Sequence, residues 1–251
     1  MKKLKISKKK MKKVIKIILI ALFIFCIFKI GTNLYEKHKA NKLYKTIIEM
    51  VVIEEKPSQI EDLMFINVDF SKLLKMNSDT VGWIKYNEIS YPVVQYTDNG
   101  FYLTKSFDKK NNGFGTIFMD YRNINFNGKN TIIYGHNASN IMFGKLKNLL
   151  NKKYFNENGN DIIRISTPHD NYIYQIFSVY VTPKEDYYIT TSFSGDSFRE
   201  FIDNISKRSK HKTDVIVEDE DNILTLSTCN GTFGNKRLVV HAKLIEKEER
   251  K

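Results

Sequence analysis

Eight short segments between residues 81 and 245 constrain the fold most. Residues 81–84, 91–94, 116–119, 131–134, 162–166, 172–181, 223–227 and 238–245 are strand candidates. Many are rich in β-branched or aromatic side chains and bounded by Gly, Asn or Asp. Few helical patterns interrupt them. Residues 141–150 carry Phe143, Leu146 and Leu150, and residues 197–209 carry Phe198, Phe201, Ile202 and Ile205 at helical spacing. Upstream, Leu43, Tyr44, Ile47, Ile48 and Val51 predict a helix over 33–55 that Pro57 ends. Asp69 is a candidate N-cap for a short helix over 69–76. The pattern predicts a mainly β fold with added helices, its strands forming a closed or nearly closed barrel.

The N-terminus is of another kind. Eight lysines lie in residues 1–13, and an apolar run follows over 14–30, interrupted only by Lys16 and Lys29. A spanning helix needs about 20 apolar residues, with roughly 17 as a lower limit. Lys16 and Lys29 are near the ends of the run, where a long side chain can reach the interface. A cleaved signal peptide is the competing reading, but the run exits through Lys29, Ile30, Gly31, Thr32 and Asn33, a poor cleavage site. The sequence therefore divides into a cytoplasmic basic tail (1–13), a transmembrane signal-anchor (14–30), a membrane-proximal helical segment (31–68), a strand-rich domain (69–246) and a charged tail (247–251). The lysine cluster predicts that residues 31–251 lie outside the cell.

The same tag explains the charge. The formal net charge is +12, and residues 1–30 contribute ten lysines and no acid, leaving +2 for the rest. A basicity confined to one end argues against a nucleic-acid partner. Hydrophobic content of 42% supports a real core and excludes wholesale disorder. Two cysteines exclude a disulfide scaffold. Cys26 falls in the apolar run, so Cys229 is the single cysteine of the exported part.

Cys229 ends an apolar strand, Ile223 to Thr228, and precedes a loop rich in Gly and Asn. A thiol there is placed as a nucleophile would be; a buried structural cysteine is the bland alternative. A reactive cysteine needs a base or cation nearby, because the thiolate is the nucleophile. Of five histidines, His38 lies in the membrane-proximal helix, His169 in a turn and His211 in a charged run. His241 shares a strand with Arg237 four residues away, about 13 Å at strand rise, so both cannot reach one sulfur. His136 ends an apolar strand and follows Gly135 into a loop, although a strand-end histidine can also be a purely backbone-bonded one. Arg237 reads either as an edge-strand charge or as an oxyanion stabiliser. No aspartate stands at a telling spacing.

Together these residues resemble the sortases. Thr-Leu-Ser-Thr-Cys over 225–229 with Arg237 resembles the sortase active-site signature, and Asn-Thr-Ile-Ile-Tyr-Gly-His-Asn over 130–137 resembles its histidine segment. Residues 79–84 with 91–95, 115–123 and 142–146 resemble class B sortases in particular. The resemblance implies an eight-stranded sortase β-barrel, N-terminal helices and a helix in the loop between strands six and seven. It implies Cys229 as nucleophile, His136 as general acid/base and Arg237 as oxyanion stabiliser, with Tyr134 and Ser227 lining the cleft. Residue 230 is Asn where other members can be acidic, which bears on the cleft entrance.

The implied activity is that of a membrane-anchored cysteine transpeptidase. It would cleave a C-terminal sorting motif after Thr and pass the acyl group to a peptidoglycan amine. Its implied partners are surface proteins with that motif, the peptidoglycan precursor or cross-bridge, and the membrane. No cofactor and no metal are expected. No Asp-Pro occurs, so the inhibitory lid of pilin-polymerising members is not expected. A membrane-anchored cysteine peptidase and a non-catalytic surface-binding module are the alternatives.

Overall fold

The structure, a computed structural model, describes residues 8–138, 140–157, 159–185, 187–231 and 235–250, and only the backbone at 52–54 and 229–231. Helix α1 (Lys8–Val51) is exposed along its apolar upstream part. By length and composition that part can cross a membrane. Towards its end Ala40, Tyr44, Ile47 and Val51 form one buried stripe at helical spacing. The helix stops at Val51, short of the expected residue 55. Strand β1 (Val52–Pro57) follows at once and pairs antiparallel with β2 (Met64–Val68). Strand pairing that begins at Val52↔Val68 ends the helix before Pro57 can. Helix α2 (Phe70–Met76) starts where expected, with Asp69 accepting from the Lys72 N–H at 3.3 Å.

The remaining strands are β3 (Thr80–Tyr86), β4 (Ile89–Val94), β5 (Phe118–Met119), β6 (Asn130–Ala138), β7 (Ile141–Met142), β8 (Ile162–Ser166), β9 (Asp170–Pro183), β10 (Ile223–Gly231) and β11 (Lys236–Glu249). Eight of them close into a ring in the order β3, β4, β5, β6, β10, β11, β9, β8 and back to β3. These eight are the eight segments expected from sequence, and β7 is an extra strand on β6. Closure comes from the parallel pairing of β6 with β10. Consecutive positions on both strands are buried, as in strands covered on two faces.

Helix α4 (Ser197–Lys207) joins the sixth barrel strand in chain order to the seventh. Its stripe Phe198, Phe201, Ile202 and Ile205 packs with Phe177, Tyr180 and Val239.

The segment expected to be helical over 31–68 is therefore helical only to Val51, with a strand pair after it. Two further expectations need correction. Residues 141–150 are not one helix: Ile141 and Met142 fold back onto Ala138 and Asn137 as β7, and a 3-10 turn follows over Leu146–Leu150. Met142 takes φ 51°, which breaks a right-handed helix, and the Phe143 ring packs on Gly135. Helix α3 (Lys152–Phe155) comes only after that turn. Nor is 247–251 a separate tail through Arg250. Lys247, Glu248 and Glu249 pair with Tyr172, Asn171 and Asp170, and Arg250 Nη2 donates to the Val68 carbonyl at 2.8 Å. Residue 251 and residues 1–7 of the basic tail lie outside the described residues.

Candidate active site

The closing strand pair builds the site. β10 runs parallel to β6 with Ser227 opposite Tyr134 and Cys229 opposite His136. On its other side β10 pairs antiparallel with β11, with Ser227 opposite Val239. That register carried two residues further sets Arg237 opposite Cys229. Adjacent strands are about 4.8 Å apart, so one row at the barrel rim holds His136, Cys229 and Arg237 on three neighbouring strands. Of Cys229 and Asn230 only the backbone is described, so their side chains, with the expectation about the cleft entrance at Asn230, fall outside the description.

The His136 ring is oriented by its Nε2, which donates to the Leu103 carbonyl at 2.8 Å. A carbonyl only accepts, so Nε2 carries a proton and Nδ1 is the free nitrogen of the neutral ring. Burial lowers the ring's pKa below its ordinary value, and the Leu103 carbonyl only partly offsets this. Gly115 makes the close approach possible. It has φ +59°, and a Cβ there would meet the Tyr102 carbonyl at 2.5 Å, the Leu103 carbonyl at 2.8 Å and His136 Cδ2 at 3.1 Å.

Beside the row lies a cleft of about 450 Å3, lined in part by Asn99, Leu103, Tyr134, Ile189, Ser227 and Arg237. Tyr134 and Ser227 are thus brought together with Arg237. The Tyr134 hydroxyl donates to Asp120 Oδ2 at 2.8 Å, and Ser227 Oγ donates to the Tyr188 hydroxyl at 3.2 Å. Burial raises the Tyr134 pKa, so it stays neutral. The Arg237 guanidinium is partly exposed and, among the described residues, donates to the neighbouring Lys236 carbonyl at 3.2 Å. A larger cavity of about 620 Å3, between α3 and residues 212–215, lies away from this row.

The other histidines are elsewhere. His38 and His169 are exposed on α1 and in a turn. His211 binds the Leu149 carbonyl at 2.7 Å. His241 is wholly buried between the hydroxyls of Tyr180 and Thr225, at 3.0 and 2.8 Å. Among the described residues no group of three or more His, Cys, Asp or Glu could hold a metal.

The family model of the sortase domain matches residues 84–245. The chain belongs to the sortase family. It is 35% identical to sortase B of Listeria monocytogenes over 239 residues, 90% of this chain and 93% of that one. It is 39% identical to sortase B of Staphylococcus aureus over 184 residues, 70% of this chain and 75% of that one. The crystal structure of sortase B from Bacillus anthracis in complex with AAEK1 superposes with TM-score 0.73 at 34% identity, covering 85% of this chain and 99% of that one. A Staphylococcus aureus sortase B–substrate complex superposes with TM-score 0.66 at 38% identity, covering 70% and 84%. The protein is a cysteine transpeptidase of the sortase B type.

Sequence reasoning missed three parts of this sortase's cleft. The Leu103 carbonyl that orients His136 carries no side-chain signal. Gly115 opens the 115–123 stretch that resembles class B sortases, but nothing in the sequence marks it as the point where two carbonyls and the His136 ring converge. Asp120 stands two residues before Arg122, and that spacing was the one available sign of a fork-bonded pair.

Proposed function

We propose that this sortase, anchored by α1, cleaves a C-terminal sorting motif after Thr and transfers the acyl group to a peptidoglycan amine. Cys229 is the nucleophile, His136 the general acid and base, and Arg237 the oxyanion stabiliser. The observation that carries the reading is the single row of His136, Cys229 and Arg237 beside a cleft lined by Tyr134 and Ser227.

The chemistry follows from that row. With His136 held below its ordinary pKa by burial, the ring is neutral at pH 7 and takes the thiol proton at Nδ1. The sulfur bonds to the threonine carbonyl carbon, and negative charge grows on oxygen beside the Arg237 guanidinium. Removing such a donor typically costs about 10²–10³ in rate. The C–N bond then breaks, and His136 returns its proton to the leaving amine. An incoming amine attacks the thioester, gives a proton to His136 and releases the thiolate. Tyr134 and Ser227 bind the peptide.

The lysines of residues 1–13 favour a cytoplasmic N-terminus, with the barrel outside. An anchored enzyme, anchored substrate and lipid-linked acceptor then share one surface, which raises their effective concentration.

The test uses the full chain in detergent with fluorogenic peptides of the Asn-Pro-x-Thr-Asn and Pro-x-Thr-Gly kinds, with and without an amine. Cleavage after Thr with product moving into the amine adduct is the expected result. Hydrolysis untouched by amine would point to a peptidase. Retention of all function in Cys229→Ala would point to a binding module.

A further inference from the structure

Beneath the cleft lies a buried carboxylate that no step of the reaction uses. Asp120, at the end of β5, has no exposed surface. Its oxygens accept from Arg122 Nε at 2.8 Å and Nη2 at 2.7 Å, from the Arg122 N–H at 2.9 Å, from the Tyr134 hydroxyl at 2.8 Å and from Asn99 Nδ2 at 3.0 Å. Arg122 Nη2 also donates to the Ile189 carbonyl at 3.0 Å. Asn99, Tyr134 and Ile189 all line the cleft. They come from three separate pieces of chain: the loop after β4, strand β6 and the connection from β9 to α4. A carboxylate so deep is tolerated only where its lone pairs are matched, and a half-satisfied network would be costly. Arg122 supplies three of these bonds, and Asn99 and Tyr134 of the cleft wall supply the other two.

We propose that Asp120 and Arg122 are positioning residues that set the width of the peptide cleft, holding Asn99, Tyr134 and the Ile189 carbonyl in one frame. The proposal rests on the reading of this cleft as the seat of the sorting peptide. The two residues act through their neighbours and not on the reacting atoms. The guanidinium fork is needed because it meets both carboxylate oxygens and the Ile189 carbonyl at once. A lysine at 122 keeps the charge but offers one compact ammonium in place of the fork.

The test compares the full chain in detergent with Arg122→Lys, Arg122→Ala and Asp120→Asn. Two quantities are read: kcat and KM on the fluorogenic peptides of the Asn-Pro-x-Thr-Asn and Pro-x-Thr-Gly kinds, and the rate of Cys229 alkylation by iodoacetamide, resolved by peptide mapping. The small reagent does not need the cleft. The expected result is a loss of about tenfold in kcat/KM for Arg122→Lys, mostly in KM, because the walls shift by fractions of an ångström. Arg122→Ala and Asp120→Asn lose at least as much, while alkylation stays within about twofold of wild type. Arg122→Lys keeps the buried carboxylate paired with a cation, so the test stands even if Asp120→Asn does not fold. A wild-type chain that turns over the peptide while Arg122→Lys matches it overturns the proposal alone. Alkylation that falls in step with kcat/KM also overturns it, since the pair would then act on the whole site. No turnover in the wild type overturns the functional reading and this proposal with it.

Discussion

The His136 ring gives its Nε2 proton to the Leu103 carbonyl, and burial disfavours its charged form. A ring pushed below its ordinary value of about 6.5 places the acid limb of kcat/KM below pH 6.5, as the property of the coupled Cys–His pair. A pH–rate profile checks this. Gly115→Ala forces an L side chain into φ +59° and against two carbonyls. The expected cost is about 1–3 kcal/mol in stability, with a fall in kcat because the shifted Leu103 carbonyl turns the ring; urea denaturation and steady-state kinetics read the two effects.

His241 tests burial without catalysis. Burial holds it at about 3, with the charge of Arg208 adding to the effect. Its folded value is depressed, so the unfolded chain binds the proton more readily. Stability from this group is complete above about pH 6.5 and is lost as pH falls towards 3, by up to about 1.4 kcal/mol per pH unit. Denaturation series at several pH values are expected to show a shallower loss over that window in His241→Gln than in the wild type.

At the scale of elements, the barrel was legible and its trimmings were not. Most barrel strands are β-branched or aromatic runs whose period is decided locally, and α4 has four apolar residues on one stripe. Phe143, Leu146 and Leu150 misled because a spacing of three or four serves a 3-10 turn as well as a helix. The pairing of β7 with β6 is a tertiary choice that spacing does not record. The hairpin of β1 and β2 escaped for the same reason: residues 52–55 continue a helical pattern until their strand partner claims them. At the site, Cys229, His136 and Arg237 could be named as candidates, but the row they form depends on the register of three strands distant in sequence. Helix α1 has two roles by position. Its upstream part is exposed, whereas Ile47 is wholly buried in the main core and the Tyr44 hydroxyl contacts Thr116 Oγ1 at 3.2 Å. Ile47→Ala is expected to cost about 2–5 kcal/mol, measured by urea denaturation, while an equivalent change at exposed Ile20 leaves barrel stability unchanged.

The whole molecule joins a basic, apolar helix to a nearly neutral barrel with a cleft at one rim. If the N-terminus stays inside the cell, protease added to intact cells degrades the barrel and spares a tag at residue 1; a tag cut from outside would reverse the topology. The central claim concerns one bond, the thioester on Cys229. Intact-protein mass spectrometry of the full chain, incubated with a cleaved sorting peptide and no amine, measures it most directly. The expected result is an added mass equal to the acyl fragment ending in Thr, mapped to Cys229, absent from Cys229→Ala and discharged on adding an amine. Turnover at the wild-type rate by Cys229→Ala, or an acyl group mapped to any other residue, would contradict it.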